Sequence, residues 1–85
     1  MFFVYILKSI KDGKYYIGQT NNIDFRLIKH NQGEIKSTRN RRPLKLIYFE
    51  KFISRAEAMH REQKLKSYKN HQYVNRIIRD KGPVV

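Results

Sequence analysis

Three groups of side chains in this chain of 85 residues could do chemistry. The first is Glu62. At about 100° of turn per residue in an α-helix, Ala58, Met59 and Leu65 form an apolar stripe, and Glu62 falls between them rather than opposite. A carboxylate turned toward a core must find a cation, a metal, a set of donors or a cleft holding water. The plainer alternative is a structural ion pair with one of the 19 basic side chains, or a helix rotated to set Glu62 at the rim. His60 projects to the other side and reads as surface.

Arg26 and His30 form the second group. Four residues apart, they are neighbours on one helix face, flanking the apolar line Ile23 and Leu27. Two cations side by side repel, whereas a shared phosphate would reverse the sign, because a guanidinium offers a fork of donors and an imidazole can donate or accept. A solvated basic face is the alternative. The third group is Tyr5, Tyr15 and Tyr16. Strand side chains alternate, so Tyr15 and Tyr16 face opposite sides of a sheet, and one of them can share a face with Tyr5. Tyrosines in strands usually mean packing. A phenol becomes a base only when its pKa, near 10 in water, is lowered by cations or a metal-bound water.

The elements that must position these groups follow from the pattern. Phe2 to Leu7 is β-branched, aromatic and nearly all apolar, as expected of a strand buried on both faces. Asp12-Gly13 marks a tight hairpin, and Tyr15 to Gln19 resumes as an antiparallel second strand. Asn21 or Asn22 caps a first helix with Asp24 in its first turn, ending near Asn31-Gln32-Gly33. Residues 34–43 read as a basic loop. Leu44 to Phe49 alternates as a third strand that can run on to Phe52. Ser54 and Glu57 fit a capping box opening a second helix. A third helix is expected from Tyr68 to about Asp80, with Tyr73, Val74, Ile77 and Ile78 as its stripe and Gly82-Pro83 as its end. The order ββαβαα predicts an α+β fold, a three-stranded antiparallel sheet flanked by three helices in one domain over residues 1–85.

Composition narrows the partners. Nineteen Lys and Arg against seven Asp and Glu give a net charge of +12, which attracts polyanions, nucleic acid before anionic membrane. The absence of cysteine excludes disulfides, thiolate metal sites and cysteine nucleophiles. The longest apolar run, Met1 to Leu7, is too short to span a bilayer, and a cytoplasmic location is the natural expectation.

Tyr5, then Tyr16-Ile17-Gly18, then Arg26, His30 and Glu62 on a later helix together resemble the GIY-YIG nuclease domain, especially short stand-alone members related to the catalytic domain of the UvrC excision-repair subunit. The likeness runs from Phe3 through the third helix and includes Ser37 to Pro43 and Ala58 to Lys66. The first half of the signature keeps only its tyrosine, as Phe3-Val4-Tyr5, and Gln19 stands where some members carry lysine. The resemblance implies a metal-dependent endonuclease acting on DNA or structured nucleic acid, in a repair or recombination role. Glu62 would be the sole protein ligand of one Mg²⁺ or Mn²⁺, and Arg26 would stabilise charge on the phosphate. Tyr16 or Tyr5 would take the proton from water or orient it, with His30 assisting. Lys36, Arg39, Arg41 and Arg42 are expected to contact phosphates, and Asn70 or Asn75 is the candidate for an asparagine found late in the site of several members. The alternative is a nucleic-acid-binding module of the same fold with little or no turnover.

Overall fold

A computed structural model of the chain describes residues 1–68 and 71–81. The first strand, β1 (Phe2–Ser9), is central, with β2 (Tyr15–Thr20) and β3 (Leu44–Phe52) antiparallel on either side in the order β2-β1-β3. That position explains its composition. Val4, Tyr5, Ile6 and Leu7 are all buried because both faces of β1 are covered. Helix α1 (Ile23–Asn31) packs on one face, over Tyr5, Leu7 and Leu44, with Tyr16 and Leu27 closing the cluster. Helices α2 (Arg55–Ser67) and α3 (His71–Lys81) cover the other, through Ala58, Leu65 and Val74 against Val4, Ile6 and Tyr48. The α+β expectation and the element order are thus as read from the sequence.

Register decides which tyrosines meet. Tyr5 pairs with Gly18 and Leu7 with Tyr16, so Tyr5 and Tyr16 share the α1 face. Tyr15 packs on the α3 face, where its hydroxyl donates to Asn75 Oδ1. The hairpin that sets this register turns at Gly13, whose φ of +74° suits a residue without Cβ. Ser9, fully buried, holds the turn to the loop before β3: its Oγ donates to the Arg41 carbonyl at 2.6 Å and accepts from the Lys11 and Asp12 amides.

Capping fixes the helices. Asn22 Oδ1 accepts from the Phe25 amide at 3.0 Å, and Ser54 with Glu57 makes the expected capping box. Asn31 ends α1 and clamps the start of β3, donating to the Leu44 carbonyl and accepting from the Leu44 amide. Arg61 on α2 makes two bonds to Glu50 on β3, at 2.8 and 3.0 Å, while Tyr48 donates to the same carboxylate. Burial and the Glu50 charge raise the Tyr48 phenol above its ordinary value.

Two details depart from the sequence pattern. Tyr68 caps the end of α2 rather than opening α3, which begins at His71; the expected stop at Gly82-Pro83 lies outside the described residues. Met59 is 42% exposed, so the buried stripe of α2 is Ala58 and Leu65 alone.

Candidate active site

The α1 face of the sheet brings together a phenol, an imidazole, a second phenol and a guanidinium. Tyr5 from β1 is 2% exposed, and its hydroxyl lies 3.0 Å from His30 Nε2. The Tyr16 ring meets the His30 ring edge-on at 5.0 Å between centroids, and the Tyr5 ring is 6.3 Å away. Gly18 makes this packing possible. A Cβ there would fall 2.6 Å from the Tyr5 hydroxyl and 3.1 Å from Tyr16 Cε2, so both rings occupy the space a side chain would take. The glycine of the second strand therefore seats the phenols.

His30 is fully buried, and the solvated-face reading of Arg26 and His30 fails for it. Helix α1 turns its last residues against the loop before β3, where Thr38, also fully buried, places Oγ1 2.7 Å from His30 Nδ1. Burial first, and the Arg26 charge second, push the imidazole down to about 4, so it is neutral near pH 7 and carries one N–H. The proton count closes in one direction only. Thr38 has the Ile35 carbonyl as acceptor at 3.5 Å, leaving its oxygen to accept from Nδ1–H. Nε2 is then the acceptor of the Tyr5 O–H. The reverse wiring would set a second N–H donor on the Tyr5 oxygen beside Arg26 and leave the phenol proton with no acceptor among the described residues.

Burial pushes the Tyr5 phenol up to about 12; the Arg26 guanidinium, a donor beside its oxygen, pulls the other way, and the Tyr16 and Glu62 charges add to the rise. Arg26 Nε is buried without a hydrogen-bond partner among the described residues. Glu62 sits at the rim, its side chain 16% exposed, with Oε2 2.7 Å from Lys66 Nζ one turn along α2. The ion pair foreseen as the plainer alternative is therefore present. Lys66 is 52% exposed and also lines, with Tyr16, a cavity of about 300 Å³ between β2 and the ends of α2 and α3.

The model of the GIY-YIG catalytic domain matches residues 1–75. The chain belongs to the GIY-YIG family. A GIY-YIG domain carries a nuclease fold, and in this one Tyr5 and Tyr16 meet across Gly18. Its relatives are short. A UPF0213 protein of Staphylococcus haemolyticus is 42% identical over 76 residues, 88% of this chain and 92% of that protein. Another, of Clostridium perfringens, is 45% identical over 78 residues, covering 91% and 83%. The solution NMR structure of a UPF0213 protein from Bacillus halodurans is 37% identical, with a TM-score of 0.55, over 91% of this chain and 83% of that one.

The remaining candidates of this GIY-YIG domain separate. Arg39 Nε donates to the Gly33 carbonyl and Arg42 Nε to the Arg39 carbonyl, so both guanidinium groups brace their own loop while staying exposed. Arg41 faces Asp12 at 3.5 Å and donates to the Tyr15 carbonyl. Lys36 is exposed. Asn75 lies with Tyr15 on the opposite face of the sheet from Tyr5, and Asn70 lies outside the described residues. Thr38 was not singled out from the sequence: a hydroxyl in a basic loop carries no hydropathy signal, and only the closure of the loop onto His30 marks it. No cluster of three His, Asp or Glu side chains able to hold a metal occurs among the described residues, and none of their helices is long and apolar enough to cross a membrane.

Proposed function

We propose that this protein is a metal-dependent endonuclease that hydrolyses phosphodiester bonds in DNA or structured nucleic acid, as the GIY-YIG membership suggests. The observation that carries the reading is the convergence of Tyr5, Tyr16, His30 and Arg26 around Gly18. Packing alone does not need a buried guanidinium nitrogen without a partner beside a phenol.

The residues present fit one hydrated divalent ion. Glu62 is a single, partly open carboxylate that already holds a cation in Lys66, and Mg²⁺ keeps most of its water and needs few protein ligands. Glu62 would hold it, and the ion would supply Lewis-acid stabilisation of charge on the phosphate. Arg26, which lines an open polar cavity, would meet the phosphate oxygens, where charge builds during hydrolysis. Tyr5 is an unsuitable base: its proton is committed to His30 and burial disfavours its phenolate. Tyr16, half-buried and lining an open cavity, is the phenol that can meet the attacking water, taking its proton after releasing its own to solvent. Tyr5, His30 and Thr38 hold Arg26 and Tyr16 in place. A repair or recombination role and a cytoplasmic location belong to the same reading.

One observation favours the rival reading of a binding module with little turnover: Glu62 is already paired with Lys66. A cleavage screen over duplex, branched and single-stranded DNA and RNA, with Mg²⁺ or Mn²⁺, separates the two. The nuclease reading expects cutting that Glu62→Ala and Arg26→Ala abolish while binding persists. Binding without metal-dependent cutting on every substrate class supports the rival.

A further inference from the structure

A polar cavity of about 240 Å³ opens between the end of β2 and the first residues of α1 and α2, lined by Phe2, Gln19, Thr20, Asn21, Arg26 and Arg55. Two guanidinium groups share it, and no carboxylate lines it. Three other arginines face carboxylates: Arg41 faces Asp12, Arg61 faces Glu50 and Arg79 faces Asp80. Neither Arg26 nor Arg55 has an ion pair among the described residues. Two like charges turned into one hollow repel, and an anion between them reverses the sign.

Each arginine is prepared for such a ligand. Arg26 Nε is a buried donor lacking an acceptor. The Arg55 guanidinium lies over the Phe2 ring, 5.0 Å from its centroid. Stacking occupies the face of the guanidinium and restrains it, while its N–H groups, which lie in the plane, stay available for oxygen. Arg55 is the first residue of α2, so its backbone is set by the Ser54 capping box rather than by a loose loop. The positive ends of two helix dipoles reinforce the same sign.

We infer that this cavity is a second phosphate subsite, in which Arg55 grips the phosphate next to the one held by Arg26 on the same nucleic-acid strand. The inference rests on the nuclease reading for the role of Arg26, whereas the contact of Arg55 needs no turnover. Gripping two consecutive phosphates makes the ligand a polynucleotide rather than an isolated phosphodiester, and it sets the direction in which the strand crosses β2.

The test is anisotropy of a fluorescein-labelled DNA duplex across a salt series, without divalent metal. Arg55→Gln should bind more weakly and lower the slope of log Kd against log salt by about 0.9, the value for one lost phosphate contact. Phe2→Leu, which keeps the charge and removes the platform, should weaken binding at unchanged slope. Lys45→Gln removes the same charge at the far end of the sheet, where Lys45 pairs with Lys8, and should leave the slope alone. An Arg55→Gln slope equal to wild type, or a Lys45→Gln drop as large, overturns the subsite and leaves the nuclease reading standing. A wild-type protein that binds no nucleic acid overturns both.

Discussion

The Tyr5 hydroxyl donates to His30 Nε2 across 3.0 Å, and both groups are sealed from solvent. Their ionisation is therefore tied to folding. His30 falls from an ordinary value of 6.5 to about 4, so between these values the unfolded chain binds the proton that the folded one refuses. Its contribution to stability is complete above pH 6.5 and is lost as pH falls toward 4. A drop of this size corresponds to at most about 3 kcal/mol. Urea unfolding followed from pH 7 to pH 4 should show that slope, and His30→Gln should remove it. A wild-type curve as flat as that of the variant contradicts a neutral buried imidazole.

Thr38→Val keeps the shape and removes the oxygen that accepts from His30 Nδ1. A buried N–H without an acceptor costs about 1–3 kcal/mol, and Thr38→Ser should recover most of it. The tautomer is the sharper readout. Nitrogen NMR of wild type should find the proton on Nδ1, facing Thr38, and Nε2 unprotonated, facing Tyr5. A proton on Nε2 in the wild type removes the argument against Tyr5 as the base.

Most of the fold was legible because it depends on periodicity and turn chemistry. The nearly all-apolar run at Phe2 to Leu7 pointed to a strand covered on both faces, and Asp12-Gly13 marked the hairpin whose register brings Tyr5 beside Gly18. The facing of Tyr16 then followed from alternation. The site was legible only as residue types. That His30 points inward depends on the loop 34–43 closing over it, and a chain of Arg-to-carbonyl bonds does the closing. Net charge cannot distinguish such arginines from ones that meet phosphate. Arg55 also stays invisible, since the ring that orients it is 53 residues away in sequence and meets it only once β1 lies under α2.

Gly18→Ala tests the seating of the phenols. The added methyl would sit 2.6 Å from the Tyr5 hydroxyl and 2.8 Å from its Cζ, within contact limits, while backbone φ at this position imposes no penalty. Overpacking of this kind costs about 1–3 kcal/mol. Cleavage should fall much further than folding, because displacing Tyr5 also shifts Arg26 and Tyr16. A variant equally active and equally stable would falsify the claim that the glycine exists for the rings.

The pair of Glu62 and Lys66 sets a competition that can be measured without turnover. The ammonium lies 2.7 Å from the carboxylate that would hold the divalent ion, and both cannot use the same oxygen. Lys66 is largely solvated, so the pair belongs to the exposed class worth about 0.2–1 kcal/mol. Lys66→Ala should therefore bind Mn²⁺ up to about fivefold more tightly by electron paramagnetic resonance, since 1.4 kcal/mol is tenfold in affinity. Glu62→Ala should bind none at that site. Tighter Mn²⁺ binding by Lys66→Ala supports the competition, and Mn²⁺ binding by Glu62→Ala equal to wild type removes Glu62 as the ligand.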